Sequence, residues 1–270
     1  INSVCYVIKK YFCYGEYVEC RAGNVHFSNL TIFADHPDPN GLVRVNKQKI
    51  MMINPVSGIR DPESVKNIIF DFGGVICPID PQITILKFKE FGPPKPGRER
   101  SPEETAREFG LLVGELETGR ISPEQFRQAI RDFYLHPLSD EQIDDAWNAL
   151  LLEIPAPRIH LLEKLRQHYR IFLLSNSNRI HYDCYAERFR REFGYPGFDA
   201  LFEKAWFSFR IGLSKPGREI FEYVLADGAI SPRETLFIDD TQIHVNGAEL
   251  TGIQGYHLKD GQDILALFRE

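Results

Sequence analysis

Asn67-Ile68-Ile69-Phe70-Asp71-Phe72-Gly73-Gly74-Val75-Ile76 is the stretch from which the chain is best read. An apolar run ends on a carboxylate and two glycines come next. This reads as a buried strand that delivers Asp71 into an open turn at its carboxyl end. Ligands of open α/β sheets gather at that end of the strands. Gly73 and Gly74 would let a phosphate or a metal ion approach the backbone. A lone aspartate there is also a common turn cap, so the rest of the chain has to supply the argument for chemistry.

On both sides of this stretch the composition is ordinary. The 270 residues are 43% hydrophobic and 26% charged, with a net charge of −6, which fits a globular chain with one or two domains. No Lys/Arg cluster advertises nucleic acid or an anionic membrane. No apolar run reaches bilayer-spanning length and no secretory signal is legible, so the expected compartment is the cytoplasm. Five cysteines, at positions 5, 13, 20, 77 and 184, include no C-x-x-C pair. That argues against a disulfide framework or a structural zinc site and for free thiols.

Residues 1–60 differ in character from the rest of the chain. Residues 1–50 carry six Lys/Arg against four Asp/Glu, and the chain's two methionines stand together at Met51 and Met52. We expect an N-terminal extension of unknown role over 1–60, with translation starting naturally at Met51 or Met52; a small β-rich appendage built on the strand-like run 4–18 is the competing reading. From Asn67 the pattern becomes regular. After Asp80 comes a helical stretch to about residue 155. In it Ser101, Ser122 and Ser139 each stand three residues before a Glu or Gln, the signature of a capping box. Apolar residues recur at helical spacing, at Phe126, Ile130 and Phe133 and at Ile143, Trp147 and Leu150. Beyond it the sequence predicts a helix over 157–169 and a strand over 170–174 that ends on Ser175-Asn176. Next come a helix, a strand over 204–209, a helix over 216–225, a strand over 235–238 ending on Asp239-Asp240, and a final strand and helix. Such alternation implies an α/β fold with a Rossmann-like parallel sheet core. The core comprises 61–80 and 156–270, with an inserted helical cap domain over 81–155.

Four elements then fall at successive strand ends: Asp71, Ser175-Asn176, Lys215 in Leu213-Ser214-Lys215-Pro216, and Asp239-Asp240. A carboxylate, a hydroxyl, a lysine and a carboxylate pair together suit a nucleophile, an anion binder and a metal site. This order resembles the haloacid dehalogenase (HAD) superfamily of aspartate-nucleophile hydrolases, over roughly residues 67–270. The resemblance implies that Asp71 attacks phosphorus to form an acyl-phosphate, with Lys215 and Ser175 as the other catalytic residues. It implies Mg²⁺ held by Asp71, the Gly73 carbonyl, Asp239 and Asp240, and substrate contacts from Asn176, Gly74 and Asp80. The expected substrate is a small phosphorylated metabolite, with no nucleic acid and no membrane as partner.

The chain departs from the family pattern in two places. Phosphatases of this superfamily commonly carry a second Asp two residues after the nucleophile to protonate the leaving oxygen. Here Gly73 stands there, and such an acid is ordinarily worth about 10²–10⁴ in rate. The Asp-Phe-Gly-Gly-Val form resembles bacterial sugar-phosphate phosphatases acting on glucose 1-phosphate, whose leaving group is less basic; Asp80 and His244 are the candidate proton donors. His244 also replaces an Asn common in relatives, which touches the ligands of the metal. From the cap, Glu115, Glu117, Thr118 and Arg120 are specificity candidates, and Ser177, Asn178, Arg179 and His181 lie near enough in sequence to reach the substrate. The rival readings are a dehalogenase, because halide leaves without a proton, and a noncatalytic binding protein on the same fold.

Overall fold

Asn67 begins the central strand of a five-stranded parallel sheet, in a computed structural model that describes residues 51–54 and 59–269. The chain divides into two units, Ile1–Met52 with Glu270 and Ile53–Arg269, and the sheet and helices belong to the second. The strand-like run 4–18 and the expectation of an extension over 1–50 fall outside the described residues.

Strands β1 (Asn67–Phe70), β2 (Arg170–Ser175), β3 (Lys204–Phe207), β4 (Thr235–Asp239) and β5 (Gln254–His257) run parallel in the order β3-β2-β1-β4-β5. All four residues of β1 are buried, as its continuous apolar run requires when helices cover both faces. Its one polar member is satisfied: Asn67 Nδ2 donates to Glu234 O at 3.2 Å and to Thr235 Oγ1 at 3.3 Å. The register pairs Phe70 with Leu173 on one side and with Ile238 on the other. Asp71 therefore emerges level with the ends of both neighbours. The chain order reverses at β1, which opens a crevice at the carboxyl edge, where α/β sheets bind ligands.

Helices α1 (Pro81–Glu90), α2 (Pro102–Glu117), α3 (Pro123–Phe133), α4 (Asp140–Asn148) and α5 (Ala156–Leu165) lie between β1 and β2; α6 (Arg179–Phe193) joins β2 to β3. The β3–β4 connection holds α7 (Ser208–Ile211) and α8 (Arg218–Asp227), and α9 (Gln242–Glu249) links β4 to β5. One face of the sheet sends Ile69, Phe172, Leu174 and Phe237 against Ile220, Phe221 and Val224 of α8 and Ala248 of α9. Each of the larger side chains contributes about 1.5–3 kcal/mol by leaving water. All three serine capping boxes form, each serine accepting from the backbone N–H three residues on while that residue's side chain accepts in return.

The inserted helices have their own core of Phe88, Leu116, Phe126, Ile130, Ile143 and Trp147, and Ile180 of α6 joins it. At this junction the Trp147 ring stacks on His181 with 4.6 Å between centroids, and His181 Nδ1 lies 2.9 Å from Asn148 Oδ1. The structure shifts several boundaries. The strand over 204–209 stops at Phe207, because Ser208 turns the chain into α7 and is buried with its hydroxyl on Ser177 O. The closing helix is a single 3₁₀ stretch, Ile264–Leu267. Among the described residues no helix is long and apolar enough to cross a membrane.

Candidate active site

β1, β2 and β4 end side by side, so the residue after each apolar run falls at one place. Asp71 is anchored first by its own backbone, whose N–H donates to Ile238 O at 2.9 Å. Its Oδ1 accepts from the Phe72 N–H at 2.7 Å and from Lys215 Nζ at 2.8 Å. The Lys215 side chain is fully buried and also donates to Asp239 Oδ2 at 2.6 Å and to Leu174 O at 3.2 Å. An ammonium has three donors, and here each has an acceptor. Burial works against the charge on Lys215, but Asp71 and Asp239 outweigh it and hold the ammonium above the ordinary lysine range.

The acids respond differently. Burial foremost raises Asp71 well above the usual carboxylate range; Lys215 opposes this and the charges of Asp239 and Asp240 add to it. Burial also opposes ionisation of Asp239, yet Lys215 and the His244 contact at 3.1 Å bring that carboxyl below the usual range. Asp240 is raised by burial and by Asp239.

The oxygens not already engaged show what the cluster can hold. Both Asp239 oxygens have partners: Oδ2 the lysine, Oδ1 the Thr241 N–H at 2.8 Å and His244. Asp71 Oδ2 and Asp240 Oδ2 accept no hydrogen bond among the described residues. One oxygen from each of Asp71, Asp239 and Asp240 lies within 4.8 Å of the others. Two unshared carboxylate oxygens, and two acids of the three raised by burial with the neighbouring carboxylates adding to it, fit a hard divalent cation. Gly74 is what permits this closeness. Its φ is +76°, and a Cβ there would stand 1.9 Å from Asp240 Oδ2.

The other residues nominated from sequence separate clearly. Ser175 is buried at the end of β2 with only a long 3.4 Å contact from its hydroxyl to Asn176 O, so the hydroxyl is available. Asn176 is spent on its neighbour: Nδ2 donates to Lys215 O at 2.9 Å, and Oδ1 accepts from the Lys215 N–H at 2.9 Å. The backbone N–H groups of Asn176 and Gly73 meet no acceptor among the described residues. Asp80 caps α1 through Gln82 N–H at 2.9 Å. Ser177 bonds the Tyr185 hydroxyl, Asn178 caps α6, and Arg179 pairs with Asp183. His181 is buried against Trp147 and driven down to about 3 by that burial. In the cap, Arg120 pairs with Glu115 at 2.9 Å and Thr118 donates to Gly114 O at 2.6 Å, while Glu117 has no hydrogen-bond or ion-pair partner among the described residues. The clamp by Asn176 had no sequence signal, because it joins the ends of two distant segments.

A carboxylate–lysine–carboxylate arrangement thus stands at one edge of the sheet. The model of haloacid dehalogenase-like hydrolases matches residues 65–250, and the chain belongs to that family. It is 31% identical over 201 residues to a D-ribitol-5-phosphate phosphatase of Bacteroides thetaiotaomicron, covering 74% of this chain and 94% of that protein. A sesquiterpene phosphatase of Aspergillus oryzae is 26% identical over 197 residues, 72% of this chain and 90% of the relative. A solved HAD family enzyme from Bacteroides thetaiotaomicron, in complex with magnesium and inorganic phosphate, shares 36% identity. It has a TM-score of 0.65 over 76% of this chain and 100% of its own.

Proposed function

We propose that the chain is a Mg²⁺-dependent phosphatase for a small phosphorylated metabolite, a sugar or sugar-alcohol phosphate by preference. The observation that carries this reading is the buried Lys215 ammonium shared between Asp71 and Asp239. It holds Asp71 in one orientation with Oδ2 unshared, as an attacking carboxylate requires. The relative that acts on D-ribitol 5-phosphate and the solved relative with magnesium and phosphate support the same chemistry.

Asp71, Asp240 and the Gly73 carbonyl would hold the ion, with Asp239 beside them joined to Lys215. Bound there, magnesium would offset the negative charge of the phosphoryl group against the carboxylates. Asp71 Oδ2 attacks phosphorus and the ester bond breaks; water then cleaves the aspartyl-phosphate. Lys215, the Ser175 hydroxyl and the backbone N–H groups of Gly73 and Asn176 bind the phosphoryl oxygens as charge spreads onto them. Asn176 serves chiefly to hold the Lys215 backbone. We assign 61–80 and 156–270 to the catalytic core and 81–155 to a cap over it, leave 1–60 as an extension of unknown role, and place the protein in the cytoplasm, where Cys77 and Cys184 stay free thiols.

Phosphate release from a panel of sugar phosphates, sugar-alcohol phosphates and nucleotides, with Mg²⁺ or chelator, tests this. Release that needs Mg²⁺ and disappears in Asp71→Asn supports it. Halide release from a haloacid, or no turnover of anything, would favour the dehalogenase or the noncatalytic reading instead.

A further inference from the structure

With Gly73 two residues after the nucleophile, the reaction proposed above lacks the usual group that gives the leaving oxygen its proton. Of the two donors nominated from sequence, Asp80 is engaged as the cap of α1, and His244 points its Nδ1 at Asp239. The cap offers a third. Glu117 is the last residue of α2, and the fold ties that helix end to the carboxyl edge of the sheet. Gly119, at φ +67°, lies so close to α7 that a Cβ there would stand 2.4 Å from Phe209 O. Phe209 comes two residues after the end of β3, and that last residue of β3, Phe207, is paired with Ser175. The turn after Glu117 thus rests on the same edge that carries Asp71, Ser175 and Asp239.

Within that turn the other polar side chains are engaged. Glu115 takes Arg120, and the Thr118 hydroxyl bonds back to Gly114 O. Glu117 is half-buried and has no hydrogen bond or ion pair among the described residues, and the charge that acts on it is that of Lys215. Charged groups on the elements packed against α2 are paired or exposed to solvent: on α1, Lys87 pairs with Glu90 and Lys89 is exposed, and on α4, Glu141 and Asp145 are exposed. On α3, Arg127 pairs with Asp144 and Arg131 with Asp140, Asp132 accepts from Gln128, and Glu124 lies out in solvent. On α7, Arg210 stacks 4.1 Å over the Tyr182 ring.

From this placement we infer that Glu117 is the general acid and base of the reaction, supplied by the cap in place of the missing residue at Gly73. The inference rests on the phosphatase reading. As Asp71 Oδ2 forms its bond to phosphorus, the bond from phosphorus to the leaving oxygen breaks, and that oxygen takes the proton of the Glu117 carboxyl. The Glu117 carboxylate then removes a proton from the water that attacks the aspartyl-phosphate. This releases inorganic phosphate, frees Asp71 and returns Glu117 to its acid form. Burial is consistent with the role: it pushes the Glu117 carboxyl up to about 7, with Lys215 pulling the other way, so the acid form persists near neutrality. A carboxyl carried by a cap also joins proton transfer to substrate enclosure, because the donor is in place only when the cap end sits on the sheet edge.

The test compares Glu117→Gln with wild type on two phosphate esters that differ in leaving-group basicity, D-ribitol 5-phosphate and p-nitrophenyl phosphate. A phenolate of low basicity departs without a proton, whereas an alkoxide needs one. The expected result is a loss of about 10²–10⁴ in kcat/KM on the sugar-alcohol ester, with kcat/KM on the aryl ester within a few-fold. That ratio reports formation of the aspartyl-phosphate and not its hydrolysis; kcat on the aryl ester falls as the hydrolysis step loses its base. The fall of kcat/KM above about pH 7 on the sugar-alcohol ester should vanish in the variant. Equal losses of kcat/KM on both esters would overturn the assignment in favour of a structural role, as would no loss on either. Wild-type enzyme that cleaves the aryl ester alone overturns it too, since no assisted departure then exists. Wild-type enzyme that cleaves neither overturns the phosphatase reading itself.

Discussion

Lys215 Nζ lies 2.8 Å from Asp71 Oδ1 and 2.6 Å from Asp239 Oδ2, in a side chain with no solvent exposure. A buried cation between two buried acids is held by its partners and holds them in turn. Removing it leaves two negative charges together in a poorly solvated place, which for buried pairs costs about 3–5 kcal/mol. Lys215→Met should therefore both abolish turnover and destabilise the fold. The pH dependence has a definite sign: without the lysine the carboxyls ionise only at a penalty, so the variant's deficit grows as pH rises and shrinks as they protonate. Urea unfolding at mildly acidic and mildly alkaline pH measures this, and a deficit independent of pH would contradict it.

Asn176 separates positioning from binding. Its two hydrogen bonds hold the Lys215 backbone, and buried polar groups left unpaired cost about 1–3 kcal/mol each. Asn176→Ala should lower stability by an amount of that order and lower kcat with KM nearly constant. A raised KM at unchanged stability would show instead that the side chain grips the substrate.

Gly74 reports on the metal. Because a Cβ would run into Asp240 Oδ2 at 1.9 Å, on a backbone at φ +76°, Gly74→Ala has to displace that carboxylate. The concentration of Mg²⁺ needed for half-maximal activity should rise by about 10–100-fold, the size of effect seen when groups supporting a ligand are disturbed. An unchanged Mg²⁺ dependence would remove Asp240 from the metal site.

His181 gives a stability prediction independent of catalysis. It is buried against Trp147, and burial depresses it to about 3, so the folded state resists a proton that the unfolded chain accepts from about pH 6.5 downward. Stability contributed by the neutral ring is present above that value and is lost as pH falls toward the folded value, by about 2 kcal/mol between pH 7 and pH 5. His181→Phe keeps the ring stack and should flatten this part of the profile. Parallel profiles for the two proteins would count against it.

Much of this was legible before any coordinates. Apolar runs ending in Asp71, Ser175 and Asp239 mark strand ends because burial on both faces demands continuous hydrophobicity, and the parallel register then brings those ends together. Serine three residues before Glu or Gln marked three helix starts because the capping geometry is local. What was not legible is set by tertiary contact. Ser208 leaves the strand pattern for α7 because its hydroxyl meets Ser177 O. Asn176, nominated as a substrate contact, turns to Lys215. Glu117 was one of four acceptable cap candidates until the partners of Glu115, Thr118 and Arg120 were visible.

The central claim is that Asp71 becomes phosphorylated during turnover. Acid quenching of the wild-type protein during steady-state hydrolysis of a sugar-alcohol phosphate with Mg²⁺, with peptide mass mapping of the quenched protein, tests it most directly. A phosphoryl group on the peptide containing Asp71, absent with chelator and absent in Asp71→Asn, is the predicted result. Phosphate release that persists in Asp71→Asn, or a phosphoryl group found on another residue, would contradict the account.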